Sequence, residues 1–141
     1  MELPLTGGCL CGAIRYQITQ KPPDVYTCHC TDCQRMTSSA FSLAMLVPTE
    51  TFHQTGKEAV ALPGGVTGKG RAKSRWVCPD CGVWLYSGPK LGAEPPGYHR
   101  NVRGGTLDDP SWLRPTTHYW TRSAQPWALP TDGMIYETQP D

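Results

Sequence analysis

The seven cysteines of this 141-residue chain limit its possible folds more than any other feature. They fall into three tight groups, namely Cys9 and Cys11; Cys28, Cys30 and Cys33; and Cys78 and Cys81. An odd number of thiols cannot pair off completely as disulfides, and stable disulfides are rare in reducing compartments. The grouping therefore predicts metal ligation.

Composition indicates a single cytoplasmic domain. The N-terminal stretch MELPLTGG lacks the basic start and apolar centre of a secretory signal. No stretch approaches the ~18 apolar residues of a membrane span. The 13 basic and 12 acidic residues form no long run of one sign, which is unlike a nucleic-acid-binding protein. We predict one domain over residues 1–141.

Alternation of apolar and polar residues predicts a chain made mainly of β-strands. Residues 14–18 and 41–47 alternate with the period of two that is typical of strands. Two shorter strands are expected at 75–78 and 83–86, around the last cysteine pair. No window of ten or more residues has a helical period, so helix content should be low.

One short helix and two loops complete the predicted secondary structure. A turn or two of helix is expected over residues 33 to about 36, with Thr31 or Asp32 as its N-cap. Gly and Pro predict flexible loops at 61–71 and at 92–97. The fold class predicted from these patterns is small antiparallel sheets with little helix.

The sequence CPDCG at 78–82 is typical of a zinc knuckle, because Gly82 can take the positive backbone angle that turns amides toward the thiolates. A thioredoxin-like site shares this spacing but needs a following helix, whereas GVWLYSG predicts a strand. The knuckle supplies two of the four ligands of a structural zinc. Cys9 and Cys11 are expected to supply the other two, from the same face of a strand.

The middle three cysteines then form a second, incomplete site. Three protein ligands with one position left for water or substrate are typical of catalytic zinc. A histidine is the alternative fourth ligand: the sequence leaves His53, His99 and His118 unconstrained, whereas His29 lies between two ligands and should point away. Zinc with three thiolates has a formal charge of −1, which favours a soft thiol as its partner.

An added thiolate would bring the formal charge at this metal to −2, so cationic or amide donors are expected nearby. Arg35, two residues past Cys33, and its neighbour Gln34 are the best placed candidates. The alternative is that both are solvated polar residues on the short helix.

Four segments together resemble the glutathione-dependent formaldehyde-activating enzymes: GGCLCGAIRY, TCHCTDCQR, WVCPDCGVWLY and GGTLDDP. The resemblance runs from about Gly7 to Trp127. It implies an Mss4-like fold, in which two layers of small antiparallel sheet form a tent organised around a structural zinc.

The resemblance also implies the role of each cysteine group. The structural zinc would be held by Cys9, Cys11, Cys78 and Cys81, and the catalytic zinc by Cys28, Cys30 and Cys33. Glutathione would be the co-substrate and formaldehyde the aldehyde, joined to S-hydroxymethylglutathione by a carbon–sulfur lyase reaction run in the synthetic direction. The implied partners are thus a small thiol and a small aldehyde, and the oligomeric state is left open.

Two further segments have alternative interpretations. Residues 99–103, and His118 with Tyr119 and Trp120, either line a pocket or are ordinary strand and aromatic packing residues.

The alternative functions are a non-enzymatic module that binds thiols or metal, and a two-zinc scaffold for a protein partner. A scaffold would use the aromatic C-terminal segment with Trp112, Trp120 and Trp127, although in a chain of this size such residues more often belong to the core.

Overall fold

The computed structural model describes residues 1–66 and 72–139. Its strands, in chain order, are β1 Leu5–Gly8, β2 Ile14–Ile18, β3 Asp24–Cys28, β4 Ser42–Pro48, β5 Phe52–Gly56, β6 Val60–Val66, β7 Ala72–Val77, β8 Trp84–Ser87, β9 His99–Arg103, β10 Thr117–Tyr119 and β11 Met134–Ile135. In this part of the chain one α-helix, α1, spans Thr31–Thr37. Short 3-10 turns lie at Thr49–Thr51, Gly104–Thr106, Thr121–Ser123 and Pro126–Ala128.

The strands form two sheets. The smaller has the order β1-β2-β5 and is antiparallel throughout. The larger has the order β11-β10-β3-β4-β9-β8-β7-β6. It is antiparallel except at one edge, where β10 pairs in parallel with both β3 and β11. The predicted mainly β class with little helix is confirmed, and these two parallel pairings are a feature that the sequence patterns did not indicate.

The main core lies where the two sheets meet. Ile14 and Ile18 of β2 are fully buried, and so are Met45 of β4 and Leu85 of β8. Burying one such side chain stabilises the fold by about 1.5–3 kcal/mol. A second, smaller cluster forms around Tyr26 and the middle cysteines, on the opposite face of β3 and β4. The two cysteine sites therefore belong to different parts of the core.

Two predicted boundaries differ from the structure. The helix begins at Thr31, and its N-cap is Cys30, whose sulfur accepts from the Cys33 amide. The prediction of Thr31 or Asp32 as the cap was therefore wrong. Residues 61–66 were predicted as loop but belong to β6, which pairs with β7 through a bulge. The rest of that predicted loop, 67–71, lies outside the described residues.

The connection between β8 and β9 contains the predicted loop at 92–97 and is fastened by a buried ion pair. Arg100 of β9 has no exposed side-chain surface and lies 2.7 Å from the carboxylate of Glu94. Its guanidinium also donates to the carbonyls of Ser87 and Pro89. These contacts anchor the loop to the larger sheet.

No helix in residues 1–66 or 72–139 is both long enough and apolar enough to cross a bilayer.

Candidate metal centres

The seven thiols converge in two clusters, within each of which all sulfur atoms lie within 4.8 Å of one another. We call them the cysteine quartet, which consists of Cys9, Cys11, Cys78 and Cys81, and the cysteine trio, which consists of Cys28, Cys30 and Cys33. This is the grouping that the spacing predicts. Each cluster could hold a metal ion.

The knuckle at 78–82 has the expected turn. Gly82 has a φ of 77°, and its amide donates to the Cys78 carbonyl at 2.9 Å. The Asp80 amide points at the Cys78 sulfur, 3.4 Å away. Amides that face a sulfur stabilise it as a thiolate, which is the form that binds metal.

The first cysteine pair lies in a similar turn, not in a strand. Cys9 follows the end of β1, and Gly12 has a φ of 81° with its amide 3.3 Å from the Cys9 carbonyl. The Ile14 amide donates to the Cys9 sulfur at 3.3 Å. The strand interpretation of this pair was therefore wrong, although its two sulfurs do converge to 3.7 Å.

The quartet joins these two turns across the molecule. The sulfurs of Cys11 and Cys78 are 3.8 Å apart although 67 residues separate them in the chain. Hydrogen bonding by the backbone of Val83, joined by that of Cys11, lowers the pKa of Cys81 to about 6. Four sulfurs so arranged suit a tetrahedral thiophilic ion such as zinc.

The trio is assembled at the junction of a strand and a helix. Cys28 ends β3, Cys30 caps α1, and Cys33 lies in the first turn of that helix. The Cys33 amide donates to the Cys30 sulfur at 3.2 Å. Strand end, cap and first turn thus direct all three sulfurs to one point, and the two elements fix their relative positions.

The trio carries its negative charge mainly on one sulfur. Hydrogen bonds from Cys28 and Cys30 lower the pKa of Cys33 to about 3, with smaller contributions from the Ser42 hydroxyl and the charge of Arg103. Its hydrogen bonds with Cys30 and Cys33, and then burial, raise the pKa of Cys28. One ready thiolate beside two thiols that a cation would deprotonate is a donor set that fits zinc.

Among the described residues, no histidine or carboxylate joins either cluster. His29 is buried and its Nε2 lies 3.1 Å from the Thr27 hydroxyl, which also meets His118 Nδ1 at 2.6 Å. Burial, with the nearby His118, lowers the pKa of His29. His53 and His99 are exposed on β5 and β9. The described residues thus give no support to a histidine as fourth ligand of the trio.

Two adjoining cavities open on the trio. The smaller, which we call the inner cavity, has a volume of about 120 Å³ and lies against the larger sheet. The larger, which we call the outer cavity, has a volume of about 270 Å³ and lies toward the C-terminal segment. Both are lined by Cys28, Cys33, Met36, Gly64, Lys73 and Gln139.

The polar lining of these cavities differs from the predicted one. Gln34 donates its side-chain amide to the carbonyls of His29 and Ser123, so it fastens the helix to the C-terminal segment. Arg35 is exposed on the helix, and neither residue lines a described cavity beside the trio. The charged groups found there are Arg103 in the inner cavity, Arg122 and Asp32 in the outer one, and Lys73 in both.

The two segments that the sequence left as either pocket-lining or packing residues contain some of each kind. Of residues 99–103, Asn101 and Arg103 line the inner cavity. Tyr119 and Trp120 also face the cavities, whereas His118 is buried beside Thr27. The sequence signal for Arg103 was its position at the end of a strand, directly before the GGTLDDP segment. Lys73 and Arg122 had no such signal.

The sequence profile of a family described as glutathione-dependent formaldehyde-activating enzyme matches residues 4–123. The chain belongs to this family. The match covers every cysteine of the quartet and trio, as well as Lys73, Arg103 and Arg122. It ends before the C-terminal residues that place Gln139 in the walls of both cavities.

Two further comparisons concern fold and relatives. A crystal structure of a Rhodobacter sphaeroides protein matches this family member with a TM-score of 0.52 at 15% identity. The match covers 93% of this chain and 98% of that one, and at such identity it shows likeness of fold alone. No functionally curated protein matches the sequence significantly.

Proposed function

We propose that this protein, as a single zinc-binding domain, catalyses the addition of glutathione or a related thiol to a small aldehyde. With formaldehyde the product would be S-hydroxymethylglutathione, formed by a carbon–sulfur lyase reaction run in the synthetic direction. The observation that supports this most is the trio itself: three sulfurs, joined by no other ligand-type side chain among the described residues, open on two cavities. A cytoplasmic location belongs to the same proposal, because free thiols persist in reducing compartments.

The two cysteine clusters would have separate roles. The quartet ties turns from distant parts of the chain beside the main core, which suits a structural zinc. The trio, with three sulfurs, suits a catalytic one. Zinc bound there would lower the pKa of an incoming thiol and hold it as the thiolate nucleophile.

The residues around the trio would position the reactants. The outer cavity has room for part of a tripeptide, and Lys73 and Arg122 line it where carboxylates of glutathione would need cations. Trp120 forms an apolar wall of the same cavity. The inner cavity, on the other side of Cys28 and Cys33, would hold the aldehyde within reach of the sulfur.

Catalysis is tested by following the exchange of formaldehyde with its glutathione adduct by NMR. Wild-type protein loaded with zinc should exceed the uncatalysed rate, and Cys30→Ser should lose most of that excess, because it removes a trio ligand. Arg114→Met is the matched control, since Arg114 is exposed and lines neither cavity.

Equal rates for wild type, Cys30→Ser and buffer would reject catalysis. Tight glutathione binding without acceleration would instead favour the non-enzymatic thiol-binding alternative. The scaffold alternative depends on exposed aromatic residues: Trp127 is 77% exposed, whereas Trp112 and Trp120 are half-buried.

A further inference from the structure

Arg103 is a buried cation that no carboxylate of the described chain neutralises. It is the last residue of β9 and is only 8% exposed to solvent. Its guanidinium stacks on Trp84, 4.2 Å from the centre of the ring. Its Nε is buried and has no hydrogen-bond partner in the described residues. A buried N–H without an acceptor and a buried charge without a carboxylate partner are both costly. A group of this kind in a cavity wall is therefore suited to binding an anion.

The rest of the inner cavity has the same character. Lys73 and Asn101 line it together with Arg103, and no acidic residue is found among its described lining residues. The Ser42 hydroxyl, also in this wall, is buried without a nitrogen or oxygen partner. Two cations and neutral hydrogen-bond donors around one small space are the chemistry that recognises a carboxylate.

Charge compensation of the trio does not account for this space. With an added thiolate the metal centre of the trio would have a formal charge of −2, and Lys73 and Arg122 of the outer cavity are two cations that can compensate it. A volume of about 120 Å³ holds several water-sized groups, whereas formaldehyde is little larger than one water and has no charge. The cavity is thus too large and too cationic for formaldehyde alone.

We propose that the carbonyl substrate of this protein is a small oxo acid, with its carboxylate bound by Arg103 in the inner cavity. This inference rests on the proposed function and names the substrate class of the same site. The thiolate sulfur would form a bond to the carbonyl carbon, and the carbonyl π electrons would move to oxygen. That oxygen takes up the proton that the thiol gave up, so the product is a hemithioacetal and no oxidant is needed.

Glyoxylate, the smallest 2-oxo acid aldehyde, is the probe. With zinc-loaded wild type and glutathione, kcat/KM should be higher for glyoxylate than for formaldehyde. Arg103→Met should lower the glyoxylate value about tenfold or more, because a charge-assisted hydrogen bond to a buried carboxylate is lost. The formaldehyde value should change by less than about threefold, since a neutral aldehyde does not use that contact. Arg114→Met, an exposed arginine variant, should change neither.

A binding measurement keeps the test independent of turnover. Glycolate has the carboxylate of glyoxylate but an alcohol in place of its aldehyde. Its binding can be followed by NMR shifts of the zinc-loaded protein. Wild type should bind it, Arg103→Met should bind at least about tenfold more weakly, and Arg103→Lys should be intermediate because it keeps charge but not the planar fork. Zinc content of each variant shows that the trio is intact.

The outcomes separate the two proposals. If neither aldehyde reacts faster than in buffer, the proposed function fails, whereas glycolate binding that depends on Arg103 would still support the anion site. If formaldehyde reacts faster than glyoxylate, or if glycolate binds equally to wild type and to the folded, zinc-loaded Arg103→Met variant, the oxo-acid inference is overturned. Weaker glutathione binding in Arg103→Met, without loss of glycolate binding, would also overturn it, because Arg103 would then serve the thiolate charge.

Discussion

At the residue scale, Gly82 shows what the cysteine-bearing turn at 78–82 requires of the backbone. Its φ is 77°, and an added Cβ would meet nothing within 4 Å. A side chain is therefore opposed only by the backbone conformation, at about 1 kcal/mol. We expect Gly82→Ala to lower the free energy of unfolding of the zinc-loaded protein by about that amount, as measured by chemical denaturation.

Gly105→Ala is the control for this prediction. A Cβ at Gly105 also meets nothing within 4 Å, but its φ does not lie in the left-handed region. Its effect should stay below about 0.5 kcal/mol. Equal losses in the two variants would mean that the backbone angle at Gly82 is not what the turn depends on.

The sequence predicts the two thiol clusters far better than the residues around them. Cysteine spacing gives both clusters, because seven thiols in three short groups leave few ways to build metal sites. Arginines lack such a pattern. Arg100 and Arg103 lie on the same strand, yet Arg100 pairs with Glu94 and Arg103 faces the cavity. Strand alternation places residues 100 and 103 on opposite faces of β9, but no local pattern records what packs against each face.

At the element scale, the loop between β8 and β9 depends on the Glu94–Arg100 ion pair. Glu94→Ala would leave the guanidinium buried without its partner, and we expect a loss of about 3 kcal/mol in the free energy of unfolding. Glu50→Ala is the control, because Glu50 is exposed and has no ion pair among the described residues. A loss no larger than that control's would show that the loop is held by other contacts.

The same pair gives a pH dependence. Burial raises the pKa of Glu94, but hydrogen bonds from its own backbone and from Arg100 lower it overall. A carboxyl whose folded pKa is depressed stabilises fully above its unfolded value of about 4.3, and the contribution is lost as pH falls through the folded value. The stability gap between wild type and Glu94→Ala should therefore be constant between about pH 8 and pH 5.5. A gap that narrows within that range would contradict the assignment.

A second element, residues 133–139, forms a C-terminal strap over the trio. Met134 and Tyr136 donate their amides to the carbonyls of Thr116 and His118, the Tyr136 ring stacks 5.4 Å from that of Tyr119, and Gln139 lines both cavities. Ending the chain after Asp132 should therefore open the trio to solvent.

We expect zinc at the trio of this truncated protein to be removed by a chelator several-fold faster than in wild type, because a wall of both cavities is gone. Ile135→Thr is the control: its side chain is 45% exposed, and the strap remains. An unchanged chelation rate after truncation would show that the strap does not shield the site.

Elements were predicted where the local pattern is strong and missed where neighbours decide. The alternating residues of β2 gave a strand, and its inward side chains are buried. The glycines at 64 and 65 suggested a loop, but pairing with β7 holds this stretch in β6 through a bulge. A cysteine as helix cap was also missed, because its sulfur accepts the amide that a hydroxyl or carboxylate ordinarily would.

At the scale of the whole molecule, the two metal sites should differ in how firmly they hold zinc. The quartet has four sulfurs, and Cys9 and Cys78 belong to the main core. The trio has three sulfurs and opens on cavities. We expect two zinc ions per chain, of which a chelator removes one quickly without loss of the β circular dichroism signal. Removal of the second should unfold the chain, because structural zinc contributes on the order of 10 kcal/mol.

Variants assign these two ions. Cys30→Ser should retain one zinc and its fold, whereas Cys81→Ser should lose the fold at moderate temperature. If the ion that resists chelation is lost in Cys30→Ser, the roles of the two clusters are reversed.

The mainly β class was predictable from patterns, but the order of the strands was not. Local alternation does not specify which strand lies beside which, and the parallel pairing of β10 with β3 joins segments that are far apart in the chain, such as Thr117 and Tyr26.

The quartet also sets the order of events when the chain is made. Cys11 leaves the ribosome 67 residues before Cys78. During synthesis the thiols of Cys9 and Cys11 therefore exist for a time without the other two thiols of the quartet. In that interval they are open to oxidation or to capture of the wrong ion, and the trio is translated before they can close. If the quartet holds zinc, as we propose, a cell that makes this protein must keep the nascent thiols reduced and zinc available until Cys78 and Cys81 have been synthesised.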